Sequence, residues 1–464
     1  MDNISYPSLN RSINTQTKVI KLKNNIAYYK DKYVGILGAG KSGLAAAKIL
    51  INSNANIYVF DDHYPRPVSI KKSNWQNYKL WPWENLISIV VSPSIPTNNH
   101  IKHEAIKLAI KHKVKIINEI DLFFETKPRA KIVGITGTNG KSTTVSLLHH
   151  ILNFNNIKCK IGGNFGYPAC LIKDPGHEGV IILELSSYQL DGIKNLKLDI
   201  ASIINITPDH IDFHETFDKY ISSKLKIISC LNINGVLVFN KNDKFLKEII
   251  QSQKNTSIKL LEVDKNSGNE FINDNNYLKG SHNSINTSIA ITIAKKLNIQ
   301  ESTIKSAIES FVGLPHRMEP IYISKKFKII NDSKSTNGES TSAALSSFDN
   351  IFWIAGGEPK SDGIGQAKKY LKKVNEVFLI GKSTSYFKNE IRKSAPQLKV
   401  NICFTLDKAI QDAIESVNRS KLNNCIILFS PSAASFDQFK NYEDRGNYLK
   451  KIIKRRFNVG VASK

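Results

Sequence analysis

The chain has 464 residues, enough for two or three domains that each bury a core, and the length prior favours three. Hydrophobic residues make up 41%, and no apolar run approaches the roughly 20 residues that span a bilayer, so no membrane partner is expected. The formal charge of +25 invites a nucleic-acid reading, but the basic residues are spread along the whole chain beside an excess of Lys, Asn and Ile; the expectation is no nucleic-acid partner and a field that favours a small anionic substrate.

In chain order, residues 1–25 are polar, lack the apolar core of an export signal, and read as a loose extension. Three segments follow, 26–128, 129–318 and 319–464, each with short apolar strands that end in Gly, Ser or Pro and lead into helix-like periodicity. That alternation predicts α/β domains: a Rossmann-like N-terminal domain, a central ATPase-like parallel sheet with a phosphate loop, and a Rossmann-like C-terminal domain. Cys159, Cys170, Cys230, Cys403 and Cys425 are widely spaced and form no C-x-x-C pair, which argues against a disulfide framework or structural zinc and suits a reducing cytoplasm.

The first segment opens with "YVGILGAGKSGLAAAKIL", in which Gly38, Gly40 and Gly43 fit G-x-G-x-x-G between a strand and a helix. Asp61 and Asp62 follow "NIYVF" about 20 residues on. The glycines let the backbone approach a diphosphate at a helix N-terminus and an Asp suits a ribose hydroxyl, although a merely tight turn or an NAD site fits the same pattern.

The second segment carries "GITGTNGKSTT" after the strand "KIVGIT". The usual phosphate-loop spelling puts a glycine at Ile135, whereas here it stands one place earlier, at Gly134. Gly137 and Gly140 keep the turn flexible, Lys141 supplies a point charge to phosphates, and Ser142 a magnesium oxygen. Glu184 ends the apolar run "VIILEL", where a carboxylate commonly holds a divalent ion but as often pairs or caps. His210 in "NITPDHID" and Lys224 in "YISSKLKII" are each compatible with an ordinary surface role; Lys224 could pair with Asp218 or Glu215. The third segment repeats the strand-to-loop pattern in "NIFWIAGGEPKSDG", "EVFLIGKS" and "NCIILFSPSAASFDQF".

The ordered set "GTNGKST", "LELSSYQL", "NITPDHIDFHETFDKYISSKLKI", "KGSHNSINTSIA" and "GLPHRME" resembles the Mur ligase family, ATP-dependent enzymes that build the peptidoglycan stem peptide. "NDSKSTN" and "SPSAASFDQFKNYEDRG" look like its D-glutamate-adding branch. The resemblance implies a monomeric enzyme acting on UDP-N-acetylmuramoyl-L-alanine and D-glutamate, with ATP and Mg2+, two ions, as cofactors. It implies that Gly137, Thr138, Asn139, Gly140, Lys141, Ser142, Thr143, His282, Asn283, Arg317 and Asp332 serve ATP. By the same carry-over, Gly38, Gly40, Lys41, Ser42, Gly43, Asp61 and Asn164 bind the UDP substrate, and Lys334, Ser335, Ser435 and Tyr442 receive D-glutamate. Ser142, Glu184, His210 and Lys224, the last as a side-chain carbamate, form the metal site; the catalytic set is Lys141, Glu184, His210 and Lys224. Ser94 and Asn118 stand where the pattern has glycine, which puts details of the UDP end in doubt.

The chemistry such an enzyme needs is activation of a carboxylate. The lactoyl-alanine carboxylate attacks the γ-phosphate of ATP, and the D-glutamate amine attacks the resulting acyl phosphate. Lys141 and magnesium neutralise the two anions brought together, and a carbamate on Lys224 reverses a charge that otherwise repels magnesium. His210 is assigned to the metal site and not to proton transfer, and a hinge near "GLPHRMEP" is expected to close the third domain. The alternatives are another Mur ligase, a folylpolyglutamate synthase-like ligase or, more remotely, a nucleotide-regulated nucleic-acid-binding protein.

Overall fold

The structure, a computed structural model, describes residues 26–97, 102–252, 257–272, 275, 277–278, 281–359 and 363–457. The expected extension 1–25 lies outside them. Among the described residues no helix is long and apolar enough to cross a membrane.

The first sheet contains β1 (Tyr33–Leu37), β2 (Asn56–Phe60), β3 (Leu86–Val91) and β4 (Lys115–Ile117) in the order β2-β1-β3-β4, every pair parallel. The glycine turn after β1 feeds α1 (Lys41–Asn52), whose Ala45, Ala46, Ala47, Ile49 and Leu50 are buried. Small residues let the helix lie close to the strands. Gly43 makes the tightest approach: a Cβ there would stand 1.8 Å from the Gly38 carbonyl oxygen. Further along come α2 (Glu104–Lys111) and α3 (Glu119–Glu125).

The second sheet has six parallel strands: β5 (Lys131–Thr136), β6 (Cys159–Gly163), β7 (Val180–Glu184), β8 (Leu198–Ile203), β9 (Leu231–Asn240) and β10 (Lys259–Val263), ordered β10-β9-β8-β5-β7-β6. All five residues of β7 are buried, as expected of a parallel strand covered on both faces. Because β5 sits between β7 and β8, the chain leaves it in both directions, and a crevice opens at the strand C-termini. The helices that frame it are α4 (Lys141–Phe154), α5 (Ser187–Gly192), α6 (Ile211–His214), α7 (Phe217–Ser229) and α8 (Ser281–Lys296). One continuous apolar core, running from Val34 and Ala46 through Ile120 and Phe123 to Leu183 and Leu237, serves both sheets, which belong to one compact unit.

The third sheet lies in a second unit and contains β11 (Glu319–Ile323), β12 (Phe327–Asn331), β13 (Ile351–Gly356), β14 (Val374–Ile380), β15 (Lys399–Phe404) and β16 (Cys425–Phe429), ordered β11-β12-β16-β13-β14-β15. Period-two alternation sends Phe352, Ile354, Phe378 and Phe429 into the core on one face, and Trp353, Ala355, Leu379 and Leu428 into that on the other. The sheet departs from a purely parallel arrangement at its edge, where β11 runs antiparallel to β12. Only residues 324–326 join them, too few for the crossover a parallel pair requires. The final helix is α9 (Tyr442–Phe457).

Candidate active site

At the C-terminal end of β5 the loop 137–140 turns into α4 through Gly140, whose φ of 84° is the left-handed conformation glycine adopts without penalty. A side chain there would also meet Asn286 of α8, 2.1 Å from its Oδ1. Asn286 in turn donates to Asn283 Oδ1 at 3.2 Å, so buried Asn283 stands one contact from the loop. The side chain of His282 lies outside the described residues.

Asn205, at the end of β8, braces the loop: its Oδ1 accepts the Thr138 and Asn139 N–H groups at 3.0 and 2.9 Å, and its Nδ2 donates to Asn139 O. Thr138 Oγ1 adds bonds to Thr207 O and the Tyr220 hydroxyl. Thr143 is half-buried in the first turn of α4, whose N-terminus receives no side-chain cap. Helix N-terminal N–H groups left in this way are suited to an anion.

Two lysines point at this loop. Lys141 Nζ donates to Gly137 O and Thr138 O, and Lys224 Nζ, reaching from α7, donates to the same Gly137 O, all at 2.8 Å. Lys224 is 1% exposed, which sets aside a lysine pointing to solvent. Burial, then the charge of Lys141, push its amine well below the ordinary lysine range, against the opposing pull of Asp209 and Glu184. The Tyr220 ring centroid lies 4.7 Å from Nζ.

Ser142 Oγ donates to Glu184 Oε2 at 2.6 Å, and Asn164 Nδ2 to Glu184 Oε1 at 2.7 Å. The structure places Asn164 beside the second-sheet carboxylate. Serine and carboxylate oxygens beside a phosphate loop are the hard donors magnesium takes, with phosphate and water completing the shell. Ser142 and Glu184 fit that ion. Among the described residues no group of three His, Cys, Asp or Glu side chains forms a metal cluster. An ammonium at Lys224 cannot ligate a cation. His210 bonds the Tyr188 hydroxyl through Nδ1 at 2.9 Å, and its Nε2 is 3.4 Å from Asp209 Oδ2.

In the first sheet, Gly38, Gly40, Lys41, Ser42 and Gly43 gather where β1 meets α1. Asp61 serves the turn itself: Oδ2 accepts Ala39 N–H at 2.6 Å, and Oδ1 accepts the His63 and Tyr64 N–H groups. These bonds hold its carboxyl below the ordinary range despite partial burial. Asn118 caps α3 through its Oδ1, while its Nδ2 donates to Gln189 O of α5 at 3.0 Å.

In the third sheet's unit, the loops 331–335 and 430–435 are knit together. Asp332 accepts Ser430 Oγ at 2.9 Å and Met318 N–H at 3.2 Å, and burial pushes its carboxyl up to about 7, with Arg317 and Arg445 pulling it down. Ser335 Oγ meets Thr341 Oγ1 at 2.7 Å and Ser335 O accepts Ser432 N–H. Lys334 Nζ stands 3.8 Å from the Tyr442 ring centroid, a cation–π contact. Buried Ser435 begins the turn 435–439. Arg445, 1% exposed, ties the loops by donating to Ser333 O, Ser333 Oγ, Ala433 O and Ala434 O. Reasoning from sequence missed Asn205, Tyr220, Tyr188, Asn286 and Arg445; all but the acceptor-specific contacts of a folded chain were in view, since each lies inside a quoted motif.

A β-strand, glycine loop and helix with a lysine, a serine and a strand-end glutamate define the class of phosphate-loop nucleotide-binding enzymes. The model of the Mur ligase middle domain matches residues 135–306. The UDP-N-acetylmuramoylalanine–D-glutamate ligase of Rickettsia prowazekii (strain Madrid E) is 34% identical, over 92% of this chain and 99% of that protein. Among solved structures, MurF from Acinetobacter baumannii covers 93% of this chain and 94% of its own at TM-score 0.58 and 16% identity. MurF ligase from Thermotoga maritima in complex with ADP covers 95% and 100% at TM-score 0.55 and 14% identity. These two show the fold. The chain belongs to the Mur ligase family, on its UDP-N-acetylmuramoylalanine–D-glutamate ligase branch.

Proposed function

We propose that the protein joins D-glutamate to UDP-N-acetylmuramoyl-L-alanine at the expense of ATP, releasing ADP and phosphate, in peptidoglycan synthesis. The observation that carries the reading is the meeting of Lys141 and Lys224 on Gly137 O next to the Ser142–Glu184 pair. A reducing, cytoplasmic setting is supported by five buried, unpaired cysteines.

The substrate carboxylate attacks the γ-phosphorus of ATP, the bond to the bridging oxygen breaks, and ADP leaves. The acyl phosphate is then attacked by the D-glutamate amine, which loses a proton as phosphate departs. Loop N–H groups and Lys141 orient the phosphates and neutralise charge as it develops. Ser142 and Glu184 would hold magnesium, which would supply further positive charge there. Asp332 and Arg317 serve the nucleotide, and Lys334, Ser335, Ser435 and Tyr442 the incoming amino acid. The glycine turn of the first sheet holds the UDP diphosphate.

Two like unit charges about 4 Å apart repel by roughly 4 kcal/mol at an effective dielectric of about 20. A buried lysine beside Lys141 relieves that by existing as the neutral amine, the form that adds CO2. Its nitrogen forms the bond to carbon, one proton leaves, and a carbamate anion replaces a cation. The test is phosphate release with UDP-N-acetylmuramoyl-L-alanine, ATP and a panel of amino acids: release should require D-glutamate, and release with another acceptor, or none, overturns the reading. Oxygen-18 placed in the substrate carboxylate should appear in the phosphate.

A further inference from the structure

We propose that Tyr188 is a positioning residue whose hydroxyl sets the ring of His210 and so ties the wall of a pocket between the first two sheets to the phosphate-loop crevice. This rests on the ligase reading above. The pocket is lined by Val91 at the end of β3, by Ser92, Ile95 and Asn118 beyond the first sheet's strands, and by Tyr188 and Phe213 from α5 and α6, all within one compact unit.

Tyr188 has two faces to its role. Its ring packs edge-on to Phe213, with centroids 4.2 Å apart at 70°, and forms part of the pocket wall. Its hydroxyl stands 2.9 Å from His210 Nδ1, and the two rings lie edge to face at 4.9 Å. Helix α5 offers a firm base. A capping box of Ser186 and Gln189 closes its N-terminus, and Asn118 bonds the Gln189 carbonyl from the other side.

His210 needs such support because its backbone is left-handed, φ 55° and ψ 33°. A histidine held there costs of order 1 kcal/mol and persists where neighbours over-determine it. The other ring nitrogen, Nε2, faces Asp209 Oδ2 at 3.4 Å.

Tyr188→Phe keeps the ring and removes the bond. The KM for the UDP substrate should stay within about twofold while kcat falls roughly tenfold, the worth of one well-made hydrogen bond. In a His210→Ala background the same substitution should have no further effect on kcat, since the hydroxyl acts through the ring. Independently of turnover, the 15N resonance of His210 Nδ1 in the substrate-free protein should move in Tyr188→Phe. An unmoved resonance, or losses that multiply in the double variant, overturns the proposal. If the wild-type chain fails to use D-glutamate at all, the ligase reading falls, while the resonance still decides the Tyr188–His210 contact.

Discussion

Lys141 and Lys224 bring their side-chain nitrogens to one acceptor, the Gly137 carbonyl oxygen, at 2.8 Å each, although one comes from the helix after the loop and the other from a helix 83 positions later in the chain. Lys224→Ala should therefore lower ligase turnover by about 100-fold or more, the scale of losing one preorganised electrostatic group. Partial recovery with a short carboxylic acid, which can occupy the vacated space as an anion, is the expected signature of a carbamate. Unchanged phosphate release in the variant would remove Lys224 from the mechanism.

Glu184 accepts from Ser142 and Asn164 together. Glu184→Gln keeps the shape and discards the charge, so the magnesium concentration for half-maximal rate should rise at least about tenfold and kcat should drop by about 100-fold. Metal titrations of the two proteins check this. Coincident curves would move the ion elsewhere.

Glu119 is 2% exposed, and its Oε1 accepts Cys170 N–H at 2.6 Å. Burial pushes its carboxyl from 4.5 up to about 7. The folded state thus holds the proton more tightly than the unfolded chain. Its contribution to stability is complete below about pH 4.5 and is lost as pH rises through about 7, a difference of roughly 3 kcal/mol. Glu119→Gln still accepts from Cys170, so urea midpoints at pH 5 and pH 8 should lie closer together than in the parent. An equal spread in both proteins would mean that Glu119 does not report the titration.

Arg445 bonds three backbone carbonyls and a hydroxyl while almost wholly buried, and burial lowers its pKa to about 10. Arg445→Ala should orphan those acceptors at a cost of about 3 kcal/mol or more, at roughly 1–3 kcal/mol for each unsatisfied group. Because the loops it ties carry Lys334 and Ser435, the KM for D-glutamate should rise more than that for the UDP substrate. Equal effects on both would reduce Arg445 to a general prop.

The alternation of apolar runs and glycine or serine turns settled the α/β class, because strand and helix periodicities are local properties of the chain. The same locality makes Gly38–Gly43 and Gly137–Ser142 readable as glycine turns between a strand and a helix, because each is a short stretch of backbone. What tertiary structure alone decided is which distant groups share an acceptor or a partner. Asn205 under the loop, Tyr220 on Thr138, Asn164 on Glu184 and Asp61 on the Ala39 N–H all depend on which strands and helices the fold sets side by side. Burial of Lys224 belongs to this second kind, because a lysine in "SSKLKI" becomes unusual only when the fold removes its water and sets another lysine against the same oxygen.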